Sequence, residues 1–193
     1  MTTELLAEPI TPEDLLAMPH GDEYELVNGE LVERHMGAES SWIASNLTWL
    51  LGGAHNRKRA GHFFTTDCGY QCFPDDSERI RRPDLSYIRP GRFPGERVPR
   101  GYIRIAPDLV VEVISPNDLA SEIAVKVEEY LEAGVPLVWV ISPDAETVTV
   151  HRADGTVTKL HMTDELSGEN VLPEFRCQVS ELFVAAEDEP SAE

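Results

Sequence analysis

One charged side chain stands where the sequence otherwise predicts only apolar residues. Glu112 lies in the middle of the run Leu-Val-Val-Glu-Val-Ile at 109–114, which is typical of a β-strand buried on both faces. An ionised carboxylate in that setting costs several kcal/mol unless an opposite charge compensates it. Two explanations follow from the residues alone: a buried ion pair with a neighbouring element, or a bound metal ion.

A second carboxylate has a similar setting upstream. Asp84 follows a proline at the start of a predicted strand over 81–88, on the opposite face from Leu85. If the two strands are neighbours, Asp84 and Glu112 share one end of a sheet. Two hard carboxylate oxygens, together with water and substrate phosphate oxygens, suit Mg²⁺ or Mn²⁺.

Lys126 is the candidate ammonium group. It lies on a helix that starts at the Ser-Pro-Asn-Asp segment 115–118 and ends at about Ala133, beside the apolar stripe of that helix. An ammonium near the carboxylates could position an attacking water or offset charge on a phosphate. A surface ion pair with Glu122, four residues earlier, is the alternative. Asp108, which follows Pro107, is a weaker candidate, and the alternative is that it only begins the Glu112 strand.

The dipeptide Asn-Gly at 28–29, between two alternating runs, predicts a β-hairpin over residues 24–33. Glu25 and Glu30 lie on this hairpin and could point toward the site. A solvated strand face is the more common role for such residues, and the sequence leaves both roles open.

The remaining elements predict a mixed sheet. The Glu112 strand, the Lys126 helix and the buried strand 137–141 form a strand–helix–strand unit, which implies two parallel neighbours with a right-handed connection. The other predicted elements are a short helix capped by Thr11, a helix over 38–56 with Trp42 and Trp49 in its core stripe, a strand over 63–73, a long loop over 89–106 and a hairpin over 147–161.

Charge argues against a general nucleic-acid binder, because the chain holds 16 basic and 35 acidic residues for a net charge of −19. The distribution is uneven, however. Between Glu78 and Arg104 the chain has eight arginines against three acids, and this stretch could contact a phosphate backbone. The acidic tail 187–193 is predicted to be disordered, which leaves residues 1–186 as a single domain.

No run of residues approaches the roughly 18 apolar residues of a membrane span. The N-terminus, Met-Thr-Thr-Glu, lacks the basic and apolar regions of a secretory signal. Cys68, Cys72 and Cys177 are odd in number and lack zinc-type spacing. We therefore expect a reduced cytoplasmic protein without membrane attachment. The sequence also lacks a Gly-rich phosphate loop, a His-Glu-x-x-His motif, a nucleophile elbow and a dinucleotide fingerprint.

Taken in order along the chain, these residues are recognisable. The chain resembles the Uma-two family of restriction-endonuclease-like proteins, a branch of the PD-(D/E)XK nuclease superfamily, over residues 11–184. The motifs that carry the resemblance are Tyr-Glu-Leu-Val-Asn-Gly-Glu-Leu at 24–31, Arg-Pro-Asp at 82–84, Pro-Asp-Leu-Val-Val-Glu-Val-Ile-Ser-Pro at 107–116, Lys126 with Tyr130, and Ala-Gly-Val at 133–135.

The resemblance implies an α+β fold, with a restriction-endonuclease-like core made of a mixed central sheet, flanking helices and added hairpins. It implies a Mg²⁺- or Mn²⁺-dependent endonuclease acting on DNA, with Asp84 and Glu112 as metal ligands and Lys126 as the catalytic lysine. Two positions depart from the family pattern. The superfamily's usual lysine position is Ile114 here, and a histidine often found near Ser40 is absent.

Two other functions stay open at this point. The chain could be a scaffold or binding protein in which Asp84, Glu112 and Lys126 form a structural ion network, and the net charge of −19 favours this. It could also be a phosphoesterase acting on a small substrate, which would not need a basic DNA track. Cutting both strands of a duplex takes two sites, and a two-fold homodimer would supply them.

Overall fold

A six-stranded mixed sheet lies at the centre of the fold. A computed structural model of the protein describes residues 9–35, 37–53 and 61–183, so the predicted acidic tail 187–193 lies outside the described residues. The helices are α1 Pro12–Ala17, α2 Ala38–Gly53 and α3 Ala120–Glu132. The strands are β1 Tyr24–Val27, β2 Glu30–Glu33, β3 His62–Thr65, β4 Leu85–Ile88, β5 Leu109–Val113, β6 Leu137–Ser142, β7 Thr147–Arg152, β8 Val157–Leu160, β9 Glu165–Gly168 and β10 Leu172–Gln178.

The central sheet has the strand order β3-β4-β5-β6-β7-β8, with two-stranded hairpins β1–β2 and β9–β10 outside it. β5 and β6 are parallel and are joined through α3, while the other pairs are antiparallel. This arrangement confirms the predicted α+β fold with a mixed central sheet, the parallel pair and the hairpins. No helix in the described part of the chain is long and apolar enough to cross a membrane.

The two faces of the central sheet pack against different elements. Leu109, Val111 and Val113 of β5 face the side covered by α2 and the β9–β10 hairpin. On that side the rings of Trp139 and Phe175 lie 5.7 Å apart. The alternate β5 residues face the opposite side, which α3 and the segment between β3 and β4 cover. Glu112 therefore points toward α3.

Three predicted elements differ from the structure. Trp42 and Trp49 were expected in the core stripe of α2, but that prediction is wrong, since their side chains are 40% and 69% exposed. The buried face of α2 consists of Ser40, Ile43, Ala44, Leu47 and Leu51.

The strand predicted over 63–73 is confined to His62–Thr65, and the strand predicted over 81–88 begins only at Leu85. Between these two strands the chain turns away from the sheet and pairs with the β1–β2 hairpin instead, through the Leu26–Ile80 bridge.

Arg82 fastens the β1–β2 hairpin to the rest of the fold. Its guanidinium donates to the backbone carbonyls of Tyr24 at 3.0 Å, Asp67 at 2.5 Å and Gly21 at 3.4 Å. The side chain is buried, so these carbonyls have little access to water as an alternative partner. The arginine thus holds two separate backbone segments, 21–24 and the turn at Asp67, beside the start of β4.

We expect Arg82→Ala to lower the free energy of unfolding by about 2–4 kcal/mol, because it leaves buried carbonyls without donors. Urea denaturation at neutral pH measures this. Arg176→Ala is the matched control, since the Arg176 side chain is 59% exposed and pairs with the exposed Glu165, and it should cost less than about 1 kcal/mol. Similar losses in the two variants would contradict the role given to Arg82.

Candidate active site

The sheet register places Asp84 opposite Glu112. β4 and β5 are antiparallel, with Leu85 paired to Val111, so one further step of the same register aligns Asp84 with Glu112. Asp84 continues the ladder through its side chain, because its Oδ2 accepts a hydrogen bond of 2.7 Å from the backbone N–H of Val113. Directly opposed residues on one sheet face have Cβ atoms about 4.5–5.5 Å apart. The two carboxylates therefore lie on one face at one end of the sheet.

Glu112 is almost completely buried, with 4% of its surface exposed. Its Oε1 accepts a hydrogen bond of 2.8 Å from the Tyr130 hydroxyl, and its Oε2 lies 3.8 Å from Lys126 Nζ. Burial raises the pKa of Glu112 to about 7, with a further contribution from the neighbouring carboxylates of Asp84 and Glu25, while Lys126 and Tyr130 oppose this increase. The surroundings thus leave the Glu112 charge only partly compensated.

Lys126 reaches the carboxylates from α3. Its Nζ lies 3.3 Å from Glu25 Oε2 and 3.8 Å from Glu112 Oε2. Burial alone would lower the pKa of Lys126, but Glu112 and Glu25 outweigh it and the pKa is raised. The group is therefore an ammonium ion at neutral pH, and its ion-pair partners in the described structure do not include Glu122.

Glu25 is the carboxylate to which sequence reasoning gave too little weight. Its side chain is 1% exposed, and it contacts Lys126, accepts a hydrogen bond of 2.8 Å from Arg81 Nη1 and accepts another of 2.8 Å from the backbone N–H of Arg82. Burial would raise the pKa of Glu25, but these three partners lower it overall. The solvated-face interpretation holds only for Glu30, which is exposed.

A chain of buried ion pairs continues from Glu25 away from the site. Arg81 Nε donates to Glu129 Oε2 at 2.6 Å, and Arg79 Nε lies 3.5 Å from Glu129 Oε1. Arg79 in turn pairs with Asp75 at 2.9 Å. Alternating charges therefore connect the hairpin, α3 and the segment before β4, which fixes the position of Glu25 relative to Lys126.

These contacts change the interpretation of the arginine-rich stretch. Arg79, Arg81 and Arg82 are buried among protein partners and are not available to a phosphate backbone. Arg89 and Arg92 pair with Asp108 at 3.6 and 2.9 Å. Asp108, the weaker sequence candidate, therefore belongs to an ion cluster at the opposite end of β5. The exposed arginines of the stretch are Arg92, Arg97, Arg100 and Arg104, and of these Arg92 is paired with Asp108.

Asp84, Glu112 and Lys126 line one cavity of about 330 Å³, which lies between the β1–β2 hairpin and α3. Arg34, also in its lining, places Nη2 3.8 Å from Asp84 Oδ1. Burial raises the pKa of Asp84, while the Val113 N–H and the Arg34 guanidinium oppose that effect. Ser40 does not line this cavity; its hydroxyl lies 3.0 Å from that of Ser115.

The donor set fits a hard divalent cation bound by few protein ligands. Asp84 and Glu112 offer carboxylate oxygens, and Glu112 lacks full charge compensation, which a cation would supply. Within residues 9–35, 37–53 and 61–183, no group of three or more His, Cys, Asp or Glu side chains is arranged to hold a metal ion. An ion here would thus take its other ligands from water and substrate, as Mg²⁺ commonly does.

Comparison with known proteins identifies the group to which this arrangement belongs. The Uma2 family model, described as "Putative restriction endonuclease", matches residues 12–180. The chain belongs to the Uma2 family. A similar solved structure is that of a "putative nuclease belonging to DUF820" from Anabaena variabilis ATCC 29413, with a TM-score of 0.76 and 23% sequence identity over 91% of this chain and 98% of that one. It shows the same fold. Among curated proteins, none matches the chain in sequence.

The raised pKa of Glu112 predicts a specific effect of pH on stability. Between the unfolded pKa of 4.5 and the folded pKa of about 7, the folded state binds more protons, so stability falls as pH rises through that range. Glu112→Gln removes this loss of stability at high pH and keeps an oxygen that can accept the hydrogen bond from the Tyr130 hydroxyl. In chelator at pH 8 we expect the variant to be more stable than the unmodified protein, by on the order of 3 kcal/mol. Denaturant melts at pH 5 and pH 8 measure the difference, and a variant less stable at pH 8 would support a structural ion pair instead.

Glu25→Gln should have the opposite effect. The pKa of Glu25 is lowered by Lys126, Arg81 and the Arg82 N–H, so its charge stabilises the fold above pH 4.5 and that contribution is lost on acidification. Removing one charge from a buried network leaves Arg81 and Lys126 undercompensated, and we expect a loss of about 3–5 kcal/mol at pH 7. The same melts measure it, with Glu30→Gln as the exposed control on the same hairpin. A stability equal to that control would exclude the central role of Glu25.

Proposed function

We propose that the protein is a Mg²⁺- or Mn²⁺-dependent endonuclease that hydrolyses DNA phosphodiester bonds, with Asp84 and Glu112 as metal ligands and Lys126 as the catalytic lysine. The observation that carries the proposal is that Asp84 and Glu112, at the same end of neighbouring strands, line one cavity, with an ammonium group 3.8 Å from Glu112. Membership of the Uma2 family, whose description is "Putative restriction endonuclease", supports it.

Each residue has a role that follows from its surroundings. The bound cation would lower the pKa of a water molecule and stabilise negative charge on the phosphate. Asp84 and Glu112 would hold it, Asp84 being oriented by the Val113 N–H and Glu112 by the Tyr130 hydroxyl. Lys126 would orient the attacking water and stabilise the charge that develops on the phosphate oxygens. Glu25 holds the ammonium group in place.

We further propose a cytoplasmic setting, in which Cys68, Cys72 and Cys177, all of them free, stay reduced. A homodimer with two-fold symmetry would supply the second site that cleavage of both strands of a duplex requires.

One observation favours a second candidate, the non-catalytic scaffold. Lys126 pairs with Glu25 and Glu112, and Arg34 lies near Asp84, so these three carboxylates of the cavity already have a cationic neighbour. Calorimetric titration with Mg²⁺ or Mn²⁺ separates the two candidates. Saturable binding that Asp84→Asn abolishes supports the nuclease, whereas no binding at millimolar metal supports the scaffold.

Lys126→Ala should reduce cleavage of plasmid DNA by about 100-fold or more, because the lost charge matters most where the phosphate becomes most negative. Binding of DNA should change little by comparison. Cleavage assays with Mg²⁺ or Mn²⁺ and parallel binding measurements give the two values. Lys159→Ala is the control, since Lys159 is an exposed lysine on β8, and it should cleave like the unmodified protein. Equal turnover in Lys126→Ala would remove Lys126 from the mechanism.

A further inference from the structure

The candidate catalytic groups lie at the bottom of a cleft. The exposed fractions of the Asp84, Glu112 and Lys126 side chains are 16%, 5% and 19%, and the cavity above them measures about 330 Å³. That volume is at the lower end of small-ligand pockets, about 300–1,000 Å³, and suits a group the size of one nucleotide. A phosphate has to enter this space before it reaches the carboxylates. A stacked duplex resists the local distortion that such entry requires.

The walls of the cleft contain apolar side chains that the binding of a phosphate does not require. Val27 and Val32 of the hairpin line one side, and Ile123 and Val125 of α3 line the other. Val32 is 40% exposed and Val125 is 49% exposed, so these apolar side chains contact water in the free protein. Apolar side chains that receive an unstacked base between them are a known way to hold a nucleotide outside a duplex.

The charges at the edge of the cleft also disfavour a duplex. Glu33, Asp118 and Glu122 line the cavity in addition to the buried carboxylates. A duplex lying across this edge would bring several phosphates of both strands close to acidic side chains. A single strand that enters the cleft at one point brings far fewer phosphates close to these acidic side chains. Bound metal would offset the charge of the phosphate at the cleavage site.

A second cavity, of about 380 Å³, offers a place for flanking nucleotides. Its lining includes the exposed Arg97 and Arg104 and the ring of Tyr102. That ring lies 5.7 Å from the guanidinium carbon of Arg82, which itself lines the first cleft. One lining residue of the first cleft thus contacts one lining residue of the second cavity. Proteins that bind single strands without sequence preference typically place basic side chains beside aromatic rings.

We propose that the substrate is DNA in an unpaired, single-stranded state. The nucleotide at the cut occupies the cleft, with its base between Val32 and Val125, and the neighbouring nucleotides bind beside Arg97, Tyr102 and Arg104. For the cleavage chemistry this inference rests on the proposed function. The preference for a single strand over a duplex rests on other residues, namely Val32, Val125, Arg97, Tyr102 and Arg104.

The experiment compares one labelled oligonucleotide as a single strand and as a blunt duplex. Anisotropy without added divalent metal measures binding, and cleavage is followed with Mn²⁺. We expect at least about tenfold tighter binding and faster cleavage of the single strand. The double variant Val32→Ser/Val125→Ser should lose most of that preference. Val157→Ser, a substitution of an exposed valine on β8, should keep it.

The basic cavity has its own test in a salt series. The double variant Arg97→Ala/Arg104→Ala should lower the slope of log affinity against log salt by about 1.4, since each single-strand phosphate contact contributes about 0.7. Arg176→Ala should leave the slope unchanged.

The outcomes separate this inference from the proposed function. The inference would be overturned if the protein bound and cleaved the duplex as well as the single strand or better. It would also be overturned if the valine and arginine variants behaved like their controls. In both cases the proposed nuclease function would stand. A protein that prefers the single strand in binding but never cuts it would overturn the proposed function and support the inference. Hydrolysis of bis(p-nitrophenyl) phosphate without any oligonucleotide binding would overturn the inference in favour of a small substrate.

Discussion

The structure of the site depends on how the charge of Glu112 is compensated inside the protein. The residue lies on a central strand, between β4 and β6, and only 4% of its surface is exposed, so water solvates its carboxylate poorly. The compensation comes from α3, through Lys126 and Tyr130, and the β1–β2 hairpin contributes Glu25, which pairs with Lys126 and holds it in place. The β5–α3 unit and a hairpin that is distant from it in sequence must therefore fold together before the site exists.

Two buried carboxylates beside the same ammonium group have opposite properties. Glu25 accepts from Arg81 and the Arg82 N–H in addition to pairing with Lys126, so its pKa is lowered and it remains ionised. Glu112 has Lys126 and one hydroxyl donor, so its pKa stays raised. Glu25 is thus a permanent counter-ion of the lysine, whereas Glu112 still favours a further positive charge. This difference makes Glu112, rather than Glu25, the natural ligand for a cation.

The sequence could predict those site residues and structural elements that leave a pattern among neighbouring residues. An isolated glutamate in an apolar strand, an Asn-Gly turn and a strand–helix–strand unit each follow from neighbouring residues. It could not predict the inward direction of Glu25 or of Arg79, Arg81 and Arg82, since an ion pair across about 50 residues leaves no local pattern. The face of α2 was equally undetermined: the helix has no charged residue after Glu39, so polarity could not show that Trp42 and Trp49 point outward.

The position of the lysine on a helix has a mechanical consequence. A lysine two residues after Glu112, directly beyond the end of β5, would be held relative to the carboxylates by the strand itself. Lys126 depends instead on the docking of α3 against the sheet and on its contact of 3.3 Å with Glu25. The hairpin that carries Glu25 is in turn held by Arg82, which lies two residues before Asp84. The short segment from Arg81 to Asp84 therefore positions Asp84, the metal-ligand candidate. Through Glu25 it also positions the ammonium group of Lys126, so the geometry of the whole site depends on these four residues.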